Sequence, residues 1–204
     1  MSTQPRPTLV PKPTTTAVAV RRATPEDAPA CGRICYEAFR AIAEAHHFPP
    51  DFPNAELPAQ ILSMMFSHPG FYCVIAELNG AIVGSNCLDE RSTIAGVGPI
   101  TIDPKTQNEG IGRRLMEAVL ARPAEQEVPG VRLLQAAYHN RSLSLYAKLG
   151  FIAREPISTM QGPVIKTQLP GYRVRPAHEA DLGECNRLCR AVHGTTARAN
   201  SQTQ

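Results

Sequence analysis

The sequence predicts an α/β (α+β) fold: a mixed, mostly antiparallel sheet with a splayed central strand and helices on both faces. Three observations carry that reading. Stretches with an apolar period of 3.6 and short apolar runs follow one another in the order β-α-α-β-β-β-α-β-α-β-β. Two of the runs, FYCVIAEL and AIVGSNCLDE, are joined by Asn79-Gly80, the pair favoured at a type I′ turn, so the sheet contains a hairpin. The next run, STIAGVGPITID, carries Gly96, Gly98 and Pro99. Glycine weakens a strand and proline removes a ladder donor, so this strand is expected to bulge or splay.

Each element has its own local justification. Residues 1–16 are rich in Pro and Thr and are expected to form a disordered tail. AVAVRRA, 17–23, reads as a strand. In TPED, Thr24 is a helix cap and Pro25 suits the first helical position, which starts a helix running to about Ala45. Ile34, Cys35, Ala38, Phe39 and Ile42 form its apolar stripe. HHFPPDFPN breaks that helix, and Asn54 caps a second one over about 55–67. The hairpin and the splayed strand follow. A helix over about 110–122 comes next, with Ile111, Leu115, Val119 and Leu120 along it. VRLLQAAY, 131–138, is expected as a buried strand, and HNRSLSLYAKLG as a short helix closed by Gly150. FIAREP, 151–156, and VIKTQL, 164–169, read as two last strands.

Composition narrows the class. The 204 residues suit one domain, 17–169, with an appendage. Net charge is +3 without a basic block, which argues against a nucleic-acid partner. No run of 18 apolar residues occurs, so no membrane span is expected, and the polar N-terminus points to a cytoplasmic address. Cys31 and Cys35 are four apart, as are Cys185 and Cys189, which puts each pair on one helix face. Free cysteine buries readily as a small apolar residue, and these pairs lack the histidines of a zinc site. Neither a metal nor a disulfide is expected.

The segment QNEGIGRRL, 107–115, carries the chemistry. Gly110 and Gly112 stand at the mouth of a helix, where glycine weakens the helix by about 1 kcal/mol each. Open backbone N–H groups at a helix N-terminus bind anions, and bare glycines let a bulky anion approach. The site is therefore expected to take phosphate or pyrophosphate. A Walker A loop would continue Gly-Lys-Ser/Thr, whereas Gly112 is followed by Arg113 and Arg114. A dinucleotide fingerprint would need a third glycine.

The order I-x-P at 102–104, Q-x-x-G-x-G at 107–112 and then a helix resembles the acetyl-CoA-binding motif of the GNAT acetyltransferase superfamily. HNRSLSLYAKLGF, 139–151, resembles that family's next motif, at a fitting distance along the chain. The resemblance implies the acyl-CoA N-acyltransferase fold, acetyl-CoA as co-substrate, and transfer of an acetyl group to a primary amine of a small molecule or a protein. A homodimer is left open.

The resemblance also implies roles. Backbone N–H groups of residues 108–113, that is Asn108, Glu109, Gly110, Ile111, Gly112 and Arg113, hold the pyrophosphate after Gln107. The strand from Ile100 to Ile102 pairs with the pantetheine arm, and an N–H near Ile102 polarises the thioester carbonyl. Tyr146 protonates the departing thiolate. Asn140 and Ser142 also face the cofactor, although counting back from Tyr146 puts His139 where the family has Asn. Other departures from the pattern are Asn108 in place of Gly, which tolerates positive φ, and Glu109 where a basic residue is common. The segment 92–102 contains no carboxylate, so the base is assigned to Glu90 at the preceding strand end, with Asp89, His46, His47 and His139 as further options. Phe48 and Phe52 are expected to wall the acceptor pocket, with Asp51 or Glu56 for a cationic amine. Because the base is missing from its usual strand, the alternative is a catalytically degenerate acyl-CoA sensor.

The C-terminus repeats the start. VRPAHEADLGECNRLCRAV, 174–192, aligns with 20–38 at an offset of 154, with Val, Arg, Ala, Asp, Cys, Arg and Cys matching. Residues 172–194 therefore read as the strand and helix that open a truncated second repeat, followed by a frayed tail, 195–204.

Overall fold

The computed structural model describes residues 18–160, 162–163, 167–168 and 170–194. The expected tails, 1–16 and 195–204, lie outside them. The elements run β1 (Ala19–Arg22), α1 (Ala28–Ala45), α2 (Glu56–Ser67), β2 (Phe71–Leu78), β3 (Ala81–Asp89), β4 (Ala95–Val97), β5 (Thr101–Ile102), α3 (Ile111–Glu125), β6 (Val131–Leu133), α4 (Asn140–Lys148) and α5 (Leu182–His193). The sheet order is β1-β2-β3-β4-β6, and β5 pairs with β3. Every pairing is antiparallel except β4 with β6.

A charged clamp joins β1 to α1. The Asp27 carboxylate accepts from the Thr24 N–H at 2.8 Å and from two guanidinium nitrogens of Arg21 at 2.8 Å each. The chain turns there through a single 3-10 turn, Pro25–Asp27. Asn54 caps as expected, its Oδ1 accepting from the Leu57 N–H at 3.1 Å.

Each face of the sheet carries its own core. On one, Cys31 and Cys35 of α1 and Leu62 and Met65 of α2 meet Phe71, Cys73, Ile75 and Cys87. Burial pushes the Cys31 and Cys35 thiols up to about 12, so both act as small neutral apolar groups. On the other face Ile111, Leu115, Met116 and Val119 of α3, with Tyr146 of α4, cover Val74, Ala76, Val83 and Leu88.

The end of the chain departs from expectation. The strand expected over 131–138 shrinks to Val131–Leu133 at the sheet edge, and Leu134 is 81% exposed. A strand is held by its neighbours, and the segment 151–156, expected as a further strand, is irregular, with Ile152 exposed. Of the other expected strand, 164–169, only 167–168 are described, and they carry no regular structure.

In the second repeat the helix forms as α5, but 172–178 contain no strand. Arg175 donates two hydrogen bonds of 2.7 Å to Asp181, which also accepts from the His178 N–H at 2.8 Å. The first clamp is thus reproduced at the same offset. The end of α5 meets the domain, where Arg132 donates to the His193 carbonyl at 3.2 Å and Gly194 lies against Ile94.

The Asp27 clamp has an acid-side signature. Hydrogen bonds from Arg21 hold its carboxyl at about 2, against an ordinary value of 3.8. A depressed carboxylate stabilises the fold above pH 3.8, and that contribution is lost as pH falls through about 2. Allowing for the half-exposed Arg21, it amounts to about 1–2 kcal/mol. Urea unfolding at pH 5.5 and pH 2.5 is expected to show Asp27→Asn less stable than the parent at the higher pH, with the gap narrowing at the lower one. An equal gap at both pH values would contradict this account.

Candidate functional site

The site begins where the sheet opens. β4 runs parallel to β6, with Val97 opposite Leu133, but β5 does not continue that pairing. Gly84 lies opposite Ile102 and Ser85 opposite Thr101, and the Asp103 N–H donates to the Val83 carbonyl at 2.8 Å. Backbone groups alternate along an extended strand. Asp103 faces β3, and a Cβ built on Gly84 would lie 2.6 Å from the Thr101 oxygen, so Thr101 faces β3 too. The N–H and C=O of Ile102 therefore point the other way, into the gap toward β6. The Ile102 carbonyl accepts from Gln107 Nε2 at 3.2 Å, and Gln107 Oε1 accepts from Arg141 at 2.5 Å.

The two glycines serve different ends. Gly110 sits at φ 80 in the left-handed region, as does Asn108 at φ 73, and these two residues turn the chain into α3. A Cβ on Gly110 would meet nothing within 4 Å, so the approach to the helix mouth is open. Gly112 is helical. A Cβ there would lie 3.3 Å from Ile102 Cδ1 and 3.4 Å from Leu145 Cδ2, so its bareness seats α3 against β5 and α4.

The first hydrogen bond within α3 runs from the Arg114 N–H to the Gly110 carbonyl. The N–H groups of Ile111, Gly112 and Arg113 come before it and point out of the helix mouth. Asn108 and Glu109 are exposed at that mouth. The two arginines turn elsewhere: Arg113 pairs with Glu117 at 3.3 Å, and Arg114 donates to the Val18 carbonyl at 3.0 Å.

Tyr146 is 7% exposed, with its ring in the core beside Phe151. Burial raises its pKa, and a hydrogen bond with Ser142 only partly opposes this, so the phenol stays protonated through the neutral range. His139 caps α4, its Nδ1 accepting from the Ser142 N–H at 3.1 Å. A backbone N–H can only donate, so Nδ1 is bare and Nε2 carries the proton. Burial first, then Arg141 and His46, lower the His139 pKa. The residue is a neutral hydrogen-bond donor, and taking up a proton would cost it the cap.

A cavity of about 310 Å³ adjoins this helix end, lined by Ile42, His46, Tyr138, His139, Asn140 and Arg141. The rings of His46 and Phe48 stack on Tyr138, with centroids 5.0 and 4.6 Å away. Asp51, second to burial, raises the Tyr138 pKa. Phe52 instead packs edge-on against Phe39 at 5.5 Å.

The structure thus brings Ile100, Ile102, Gln107, the loop 108–113, Asn140, Ser142 and Tyr146 to one end of the sheet. Glu90 is not among them. It follows Asp89, which lies opposite Gly96, and it pairs with Arg122 at 2.6 Å. It lies six positions beyond Gly84, the residue opposite Ile102, or roughly 20 Å along the extended chain. Sequence reading missed Arg141 and the Tyr138 stack, because contacts between distant segments leave no local pattern.

A family model described as an acetyltransferase (GNAT) domain matches residues 39–164, more than half of the chain. Similar solved structures include a mutant of the BH1408 protein from Bacillus halodurans, with a TM-score of 0.61 and 16% identity, covering 72% of this chain and 99% of that one. Another is the aminoglycoside acetyltransferase meta-AAC0020 from an uncultured soil metagenomic sample, in complex with trehalose, at 0.52 and 21%, covering 72% and 97%. A third, the aminoglycoside N-acetyltransferase AAC(6')-Iy in complex with CoA, gives 0.59 and 10%, covering 75% and 99%. At these identities the likeness is one of fold. No curated protein sequence matches the chain.

The glycine assignment is testable by thermal and urea denaturation. Gly110→Ala forces a side chain into the left-handed region and is expected to cost about 1 kcal/mol or more. Gly112→Ala gains helix propensity while crowding Ile102, and is expected to stay within about 0.5 kcal/mol of the parent. The reverse order of stability would refute the assignment.

Proposed function

Because the chain belongs to the GNAT acetyltransferase family, we propose that it moves an acetyl group from acetyl-CoA directly to a primary amine of a small molecule. The observation that carries this reading is the α3 mouth. Three backbone N–H groups without helical partners open beside the edge of β5 that faces away from β3, where the Ile102 carbonyl is met by Gln107 and not by a strand, which fits a ligand with a pyrophosphate at one end and an amide-bearing arm at the other. The small-molecule acceptor is supported by the similar aminoglycoside acetyltransferases and by the cavity beside Tyr138.

In this reading the N–H of Ile102 donates to the thioester carbonyl and stabilises the charge that grows there during attack. Tyr146, held protonated by burial, gives its proton to the leaving thiolate. The incoming ammonium must first lose a proton. Glu90 is tied to Arg122, and His139 has its basic nitrogen in the helix cap. His46 lines the cavity with a ring that stacks on Tyr138 and makes no hydrogen bond among the described residues, so it is the group assigned to receive that proton, directly or through water. Among the described residues no helix is long and apolar enough to cross a membrane.

Steady-state kinetics on a panel of amines, aminoglycosides included, tests the reading alongside calorimetry with acetyl-CoA. Binding together with transfer to at least one amine supports it. Tight binding without any transfer points to the sensor alternative, and no binding defeats both. Tyr146→Phe is expected to lower kcat by roughly 100-fold while acetyl-CoA affinity stays near the parent value. An unchanged kcat would remove Tyr146 from the proton transfer.

A further inference from the structure

We propose that Arg141, which stands within the second motif stretch but carries no role in the sequence reading, is a positioning residue for acetyl transfer that acts on Ile102 through Gln107. The inference rests on the acetyl-CoA reading above and extends it to a side chain not assigned there.

The argument starts from the peptide unit between Ile102 and Asp103. Its N–H side is pinned to β3 by the 2.8 Å bond from Asp103 to the Val83 carbonyl. Its C=O side faces the gap, and no strand there receives it, because β6 pairs with β4 and not with β5. Gln107 supplies the missing partner from the glycine loop, its Nε2 donating to the Ile102 oxygen at 3.2 Å. This one side chain thus replaces the ladder bond that the splay removes.

A glutamine amide can turn over and present oxygen where nitrogen stood. Oxygen facing the Ile102 carbonyl would repel it. Arg141 removes that freedom. A guanidinium only donates, so the atom it contacts at 2.5 Å must be the amide oxygen, which leaves the nitrogen for Ile102. The amide of Gln107 is therefore held from both ends, with one orientation permitted. Arg141 lies in the first turn of α4, four residues from Leu145, whose side chain approaches Gly112. The relay thus ties α4, the glycine loop and the β5 edge to one another at the point where the reacting carbonyl would sit.

The alternative role for an arginine here is direct contact with a phosphate of the ligand. The two roles predict different couplings. An arginine acting through Gln107 has no effect once Gln107 is gone, whereas an arginine binding phosphate does not depend on it.

Five proteins test this: the parent, Arg141→Met, Gln107→Met, the double variant, and Arg141→Lys as the conservative replacement. Calorimetry with acetyl-CoA and steady-state kinetics on the best amine are the readouts. Arg141→Met is expected to lower kcat about tenfold with at most a threefold rise in the KM for acetyl-CoA, and Arg141→Lys to recover most of that loss through a single N–H. The double variant is expected to match Gln107→Met alone. Additive losses, or an effect confined to the KM for acetyl-CoA, overturn the proposal in favour of a phosphate contact, and parental kinetics for Arg141→Met overturn it outright.

If the parent neither binds nor turns over acetyl-CoA, the functional reading fails, and the relay is judged without ligand by hydrogen exchange of the segment 101–107. Faster exchange in Arg141→Met, at least fivefold and reproduced by Gln107→Met, supports the relay. Unchanged exchange overturns it.

Discussion

The parting of β5 from β6 governs the rest of the molecule. Up to Val97 the sheet is continuous, with β4 paired to both β3 and β6. From Thr101, four residues later, the chain pairs with β3 alone. Hydrogen-bonding groups on the open edge must then find partners, since a buried and unpaired amide or carbonyl is costly. One is met by Gln107 at the Ile102 carbonyl. The same parting makes room for α3 to point its N-terminus at the gap, and Gly112 lets the helix come close enough to use it. A regular six-stranded sheet would have satisfied every ladder bond and left no cleft.

The early part of the chain could be read closely because its signals are local. Asn79-Gly80 turns the hairpin with both residues at positive φ, and Gly98 and Pro99 interrupt the third strand where the sheet opens. Asn108 adopts the positive φ that its type tolerates. What failed was non-local. VRLLQAAY has the composition of a buried strand, yet only three residues pair, since burial of the remainder depends on neighbours that the segment cannot specify by itself. Glu90 was reached by chain proximity, but a strand of nine residues carries its far end away from the cleft and into the reach of Arg122. The two glycines looked equivalent, and only their backbone angles and neighbours separate a conformational need from a packing one.

Electrostatics divides the titratable groups around the cleft by burial. Tyr146 lies deep, and desolvation keeps its proton on. His139 is half-buried, and the same desolvation keeps a second proton off. The two effects have one cause, the cost of charge in a low-dielectric surrounding, and they act in opposite directions because one group is charged when deprotonated and the other when protonated. Ser142 touches both, donating its N–H to His139 and hydrogen-bonding Tyr146 through its side chain. The first turn of α4 therefore contacts both residues, while burial sets the direction of both shifts.

The repeated clamp separates what local sequence specifies from what packing adds. Arg21 with Asp27 and Arg175 with Asp181 adopt the same pairing, each followed by a 3-10 turn and a helix. Both aspartates are held at about 2 by hydrogen bonds from their arginines. Yet Cys31, Ile34 and Cys35 are buried in the first copy, while their counterparts Cys185 and Leu188 are exposed and Cys189 is partly so in the second. The turn therefore forms without a core beneath it. What the first copy gains from its surroundings is the strand: β1 has β2 to pair with, whereas 172–178 pair with no strand among the described residues and stay irregular. A charged clamp and a helix with a good apolar stripe can be written in about 20 residues, but a strand cannot, because every one of its ladder hydrogen bonds needs a partner in another segment.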